Sequence, residues 1–251
     1  MPRHLTILTG ASRGMGHAMA TMLLERDATL ITISRHSNAE LAAHAQACGA
    51  ELEQWQADLA APEAMAQRLG QWLAAKPEQH FASATLINNA ALIEPLAPLR
   101  QAMGAELAAN LRVGLEAPLL LCAAFLRATA SWRIPRKVLN ISSGLGRRAM
   151  ASSAAYCAAK AGMDHFTRCL ALEEAAQPYG ARVCSLAPGV IDTAMQVQLR
   201  SADPQHFADQ PGFAALHAKG QLTSPADAAR RLLAFLARPD FGTEPVADVR
   251  S

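Results

Sequence analysis

The chain has 251 residues, 51% of them hydrophobic and 18% charged, with a formal net charge of +2. That composition supplies enough apolar surface for a core and excludes a disordered chain, and the length suits one large domain or two small ones. The mixed, nearly balanced charge excludes the basic footprint of a nucleic-acid-binding protein, and the Arg147-Arg148 pair is too short to restore it.

The chain opens on a β-rich run, Leu5–Thr9, that passes directly into Gly10; it is too short for the apolar region of a signal peptide. A helix is expected over Gly14–Arg26, then a strand over Thr29–Ser34, a helix over Ala39–Cys48 and a strand over Leu52–Ala57. The same rhythm continues with a helix at Pro62–Ala75, a strand at Ala84–Asn88 and a long helix at Met103–Thr129. Within that helix the most apolar stretch, Ala117–Leu126, is half the roughly 20 residues needed to span a bilayer, so a cytoplasmic protein with no membrane contact is expected. Strands at Lys137–Ser142, Arg182–Leu186 and Val246–Val249 alternate with helices at Ala154–Ala176 and Pro225–Ala237.

Strands alternating with helices predict an α/β fold: a single-domain, Rossmann-type, doubly wound parallel sheet of about seven strands with helices on both faces. Only Asp192–Leu222, with Pro204, Pro211 and Gly212, interrupts the alternation. Lying after the sixth strand, it is expected to be a substrate lid, the alternative being a surface loop with a short helix. The five cysteines are odd in number and lack a Cys-x-x-Cys, so neither disulfides nor a metal site are expected. Cys169 and Cys184 are expected to act as small buried hydrophobes.

Chemistry enters at the first turn. Gly10, Gly14 and Gly16 follow a strand and open a helix, a setting in which a backbone can turn sharply and bring a helix N-terminus to a pyrophosphate. The spacing is Gly-x-x-x-Gly-x-Gly rather than Gly-x-Gly-x-x-Gly. The second strand ends at Ser34-Arg35-His36 with no carboxylate before Glu40. NAD-binding folds place an acid there and NADP-binding folds a cation, so Arg35, with Arg13 from the glycine loop, predicts NADP(H).

Tyr156 and Lys160 stand four apart on a helix and share a face, and Ser143 ends the fifth strand at the sheet edge where ligands bind. The ammonium is expected to lower the phenol pKa, so that Tyr156 can exchange a proton with a carbonyl oxygen that Ser143 holds.

The motifs Thr9-Gly-Ala-Ser-Arg-Gly-Met-Gly16, Asp58-Leu59, Asn88-Asn89-Ala90, Asn110, Ser143, Tyr156-Cys-Ala-Ala-Lys160 and Pro188-Gly-Val-Ile-Asp-Thr193 occur in the order of the short-chain dehydrogenase/reductase family, which the chain resembles over nearly its whole length. The resemblance implies that Tyr156 is the acid/base and Ser143 the donor to the carbonyl oxygen. Lys160 would tune Tyr156 and hold the nicotinamide ribose, and Asn110 would anchor a water in a proton relay. It further implies cofactor contacts from Gly10, Ser12, Arg13, Gly14, Met15, Gly16, Arg35, Asp58 and Leu59. Asn89, Ala90, Ala91, Tyr156, Lys160, Pro188, Gly189, Val190, Ile191 and Thr193 would complete that set. Ala91 departs from the family's usual Gly, and Ser142 competes with Ser143 except for the 13-residue spacing to Tyr156.

A narrower likeness, carried by Leu170-Ala-Leu-Glu-Glu174, Pro188–Gln196 and Ala247-Asp248-Val249, is to sepiapterin reductases and bacterial benzil (1,2-diketone) reductases. It makes Asp248 a candidate substrate contact, with Ser143. The expected activity is NADPH-dependent reduction of a small ketone or 1,2-dicarbonyl by a homodimer or homotetramer packed through the long helix and the Tyr156 helix. The alternatives are a non-catalytic NADP sensor and an NAD-dependent alcohol dehydrogenase working oxidatively.

Overall fold

Apolar residues on alternating sides of the strands create two buried layers. On β1 (Arg3–Thr9), Leu5 and Ile7 point to one layer and Leu8 to the other. On β5 (Arg136–Ile141), Val138 faces the first while Leu139 and Ile141 face the second. A strand apolar on both sides must be covered on both sides, which favours a parallel sheet with helical crossovers. The structure, a computed structural model, describes residues 2–250.

The sheet has seven strands. β2 is Ala28–Ser34, β3 Glu51–Gln56, β4 Phe81–Asn88, β6 Arg182–Ala187 and β7 Val246–Asp248. The order is β3-β2-β1-β4-β5-β6-β7, and every pairing is parallel. Helices α1 (Gly14–Leu23), α2 (Ala39–Cys48) and α9 (Pro225–Ala237) cover one face through Met19, Leu41 and Leu232. Helices α3 (Glu63–Ala74), α4 (Gly104–Leu111), α5 (Ala117–Ala128) and α6 (Ala154–Ala175) lie on the other, where Leu69, Leu121 and Phe125 fill the core. Burying each such side chain stabilises by roughly 1.5–3 kcal/mol. Chain order reverses between β1 and β4, so the crevice at their carboxyl ends is the ligand-binding position of this architecture.

Several expectations are corrected. The long helix is not one uniform helix: a π-helical turn, Arg112–Glu116, separates α4 from α5. Periodicity does not reveal the turn here, because the stretch that follows it, Ala117–Leu126, is apolar nearly all round and carries no sharp stripe whose phase could shift. Gly104–Ala128 is also long and apolar enough to cross a membrane by length and composition, although 44% of its most apolar window is buried against the rest of the protein. Cys184 is buried as expected, but Cys169 is exposed because its side of α6 faces outward.

The 192–222 segment forms two helices, α7 (Ala194–Arg200) and α8 (Gln210–Ala218). It has its own apolar cluster, in which Leu199 and the fully buried Phe207 pack with Ile93, Leu145 and Tyr156. Phe207 stacks on Phe213 at 5.7 Å.

Candidate active site

The first turn leaves no room for side chains. Gly10 has a φ of +71°, and a Cβ there would lie 2.9 Å from the Ala90 Cα. A Cβ on Gly16 would sit 2.0 Å from the Gly10 carbonyl oxygen. The turn is pinned from the ends of the two neighbouring strands, β2 and β4. Gly10 N–H donates to the Ile33 carbonyl at 2.8 Å, Ala11 N–H to the Ser34 hydroxyl at 2.8 Å, and Asn89 Nδ2 to the Thr9 and Gly10 carbonyls at 3.0 and 3.1 Å. The Thr9 hydroxyl accepts from the N–H groups of Asn89 and Ala90, both at 2.9 Å. The loop is thus preorganised with the N-terminus of α1 open to a cleft of about 980 Å³.

That cleft gathers all the residues expected at the dinucleotide, from Gly10 through Arg35 and Asp58 to Thr193, together with Ser143, Tyr156 and Lys160. Arg13 and Arg35 are both exposed at it, and among the described residues no ion pair engages either guanidinium. Asn110 and Asp248 do not line it. Asn110 is buried behind it, its amide nitrogen bonded to the Leu92 carbonyl at 3.0 Å. Asp248, at the end of β7, takes a two-pronged contact from Arg250, with Nε–O and NH2–O distances of 2.8 and 2.7 Å, which holds its carboxyl below the usual range. It is the Arg250 side chain, not Asp248, that borders the cleft.

Tyr156 sits in the first turn of α6, buried, with Lys160 one turn on. The ammonium donates to the Ile141 carbonyl at 2.7 Å and lies 5.8 Å from the centre of the phenol ring. The expected lowering of the phenol pKa is not what the geometry gives. Burial pushes Tyr156 up to about 12, although a hydrogen bond from the Ser143 hydroxyl offsets part of the rise. Burial likewise pulls Lys160 down to about 8, against the opposing pull of the Asp164 carboxylate. In both groups desolvation outweighs the stabilising partners, Ser143 for the phenolate and Asp164 for the ammonium.

Residues 4–204 match the family model of the short chain dehydrogenases. The chain belongs to the short-chain dehydrogenase family. Among its relatives, the benzil reductase ((S)-benzoin forming) of Bacillus cereus is 35% identical over 94% of both chains. The sepiapterin reductase of Rattus norvegicus is 30% identical over 94% of this chain and 92% of its own. A solved short-chain dehydrogenase/reductase from Burkholderia vietnamiensis superposes with a TM-score of 0.65 at 32% identity, covering 100% of this chain and 98% of its own. A short-chain dehydrogenase uses a nicotinamide dinucleotide, and the glycine cradle and the size of the cleft fit one.

Two side chains in this short-chain dehydrogenase escaped the sequence reading. Asp164, only 2% exposed, accepts from the hydroxyls of Ser142 and Ser185, each at 2.6 Å, and from Arg147 Nε at 3.2 Å. Ser142 is thereby committed to the protein interior, while Ser143 is the serine in contact with the phenol. The signal was present: Tyr156, Lys160 and Asp164 continue one i, i+4 face. The second is Glu94, buried in the β4–α4 connection, which accepts from Asn110 Nδ2 and from the Tyr156 N–H at 3.2 Å. Its signal was a lone acid between Ile93 and Pro95-Leu96.

The 192–222 segment is clamped as well. Arg200 NH1 reaches Asp192 at 2.9 Å and the buried Gln196 at 2.7 Å. The Ser152 hydroxyl donates to the His206 carbonyl at 2.5 Å from a left-handed φ of 63°, tying the turn before α6 to the same segment.

Proposed function

We propose that this chain reduces a ketone or 1,2-dicarbonyl with NADPH, and that Tyr156 protonates the carbonyl oxygen. The observation that carries the reading is the pairing of buried Tyr156 with half-buried Ser143 in the same cleft that the glycine cradle lines. When bound, the dinucleotide supplies the hydride. Ser143 and Tyr156 donate to the substrate oxygen; as that oxygen becomes an alkoxide, far more basic than a phenolate, the Tyr156 proton moves to it. A phenol with a pKa of about 12 keeps its proton at neutral pH until that moment, which suits a general acid in the reductive direction. Lys160, with a pKa of about 8, stays mostly cationic at neutral pH and is suited to hold the cofactor ribose.

Arg13 in the glycine loop and Arg35 just after β2 support NADPH over NADH, since two guanidiniums with no ion-pair partner among the described residues suit the additional phosphate. The apolar cluster beneath Leu199 and Phe207, next to Tyr156, supports 192–222 as a lid that keeps water from the reacting atoms. The resemblance to benzil and sepiapterin reductases supports a vicinal dicarbonyl or a pterin side-chain carbonyl as substrate. We place the protein in the cytoplasm as a homodimer or homotetramer.

The test is the loss of NADPH absorbance with a diketone, sepiapterin and simple ketones, with NADH in parallel. NADPH-selective turnover is expected. Tyr156→Phe should lose about 10²–10⁴ in kcat while still quenching on NADPH binding. Near-normal turnover by that variant would remove Tyr156 from the chemistry.

A further inference from the structure

Glu94 is 4% exposed, and both of its carboxylate oxygens are acceptors. Oε2 takes the Asn110 amide nitrogen, and Oε1 takes the Tyr156 backbone N–H at 3.2 Å. The same Asn110 nitrogen donates to the Leu92 carbonyl at 3.0 Å. Because both of its neighbours are acceptors, the amide has one allowed orientation; turned over, Oδ1 would face two oxygens. In that orientation Asn110 Oδ1 is buried with no partner among the described residues, an acceptor held open beside the π-helical turn.

The second contact sits at the start of α6. Ser153 is the N-cap residue, yet its hydroxyl makes no capping bond and is itself unpartnered among the described residues. The Glu94 carboxylate caps the helix instead, at its third residue, Tyr156. A negative group there is also favoured by the helix dipole.

We propose that Glu94 is a positioning residue: one carboxylate holds the Tyr156 helix start and the Asn110 amide in register with each other. The inference rests on the reductase reading above. Two acceptor oxygens are required, since each receives an N–H. Glutamine offers one oxygen and one NH2, so in Glu94→Gln a donor must face a donor, or Asn110 must turn over. Aspartate keeps both acceptors on a shorter arm.

The experiment uses the full-length chain and two readouts. In steady-state kinetics with NADPH and a diketone, Glu94→Gln should lower kcat about tenfold to a hundredfold while the KM for NADPH changes by about twofold or less. Glu94→Asp should recover most of that loss. In ¹⁵N-resolved NMR spectra, the Tyr156 N–H and Asn110 side-chain N–H resonances should lie downfield in the wild type and move upfield in Glu94→Gln. A wild-type kcat in Glu94→Gln, or equal losses of kcat and NADPH affinity in both variants, overturns the positioning role. Unmoved resonances overturn the bonding arrangement without reference to activity. A wild-type protein inert toward every carbonyl overturns the reductase reading instead, before any variant is made.

Discussion

Lys160 and Tyr156 meet burial with opposite consequences for pH. In the folded protein Lys160 gives up its proton near pH 8, and in the unfolded chain near 10.5. Between those values the unfolded state holds more protons, so stability rises with pH; below about 8 the buried ammonium is destabilising in full. Tyr156 runs the other way. From its ordinary value of 10.0 up to about 12, the folded state holds more protons and stability falls as pH rises. Lys160→Met removes the first contribution alone. Its Tm relative to the wild type should therefore be highest at pH 7 and decline toward pH 10; a constant difference would mean that Lys160 does not titrate low. At the other end of the cleft, Arg35→Ala should raise the KM for NADPH about tenfold or more, and that for NADH much less, because only one cofactor loses a charge-assisted contact. Equal effects on both cofactors would leave Arg35 without a role in selectivity.

Among the elements, the strand–turn–helix at the start of the chain was the most legible in the sequence, because glycine is the only residue its geometry tolerates. Gly16→Ala tests that directly. The added methyl must displace the Gly10 carbonyl, so a loss of about 1–3 kcal/mol in chemical denaturation is expected, together with weakened dinucleotide binding. A silent substitution would show that the turn is softer than its contacts suggest. Helix α6 was legible only on its reactive face. Its length and the Tyr156–Lys160 pair follow from pattern, but Asp164 acquires its role from Ser142 of the β5 end and Ser185 of β6, which only the folded sheet brings to it. Asp164→Ala breaks a carboxylate bonded to two hydroxyls and Arg147, and should cost about 3 kcal/mol of stability. A thermal melt unchanged from wild type would contradict that. The π-helical turn between α4 and α5 left no trace in periodicity, and the pKa of Tyr156 could not be read from neighbours in sequence because it is governed by depth.

At the scale of the whole molecule, the doubly wound parallel sheet was legible in the alternation of strands and helices, whereas the strand order, whose reversal between β1 and β4 locates the cleft, is set by the fold. Where Asp248 would stand was not: its position in the chain suggested a substrate contact, while the fold pairs it with Arg250. The surface favours assembly into an oligomer. Leu111 on α4, Leu119 on α5 and Leu172 on α6 are 39%, 41% and 77% exposed, apolar residues on the three helices expected to meet a second subunit. Leaving a leucine in water forgoes roughly 1.5–3 kcal/mol of burial, so three such residues on adjoining helices favour association. Light scattering after size exclusion should give a dimer or tetramer at micromolar concentration. Leu119→Glu combined with Leu172→Glu would place two like charges per protomer in that contact, and the mass should fall toward the 26.6 kDa protomer with the fold intact by circular dichroism. If the wild type is already a monomer, the exposed leucines do not form a subunit interface; if the double variant remains assembled, the contact lies on another face.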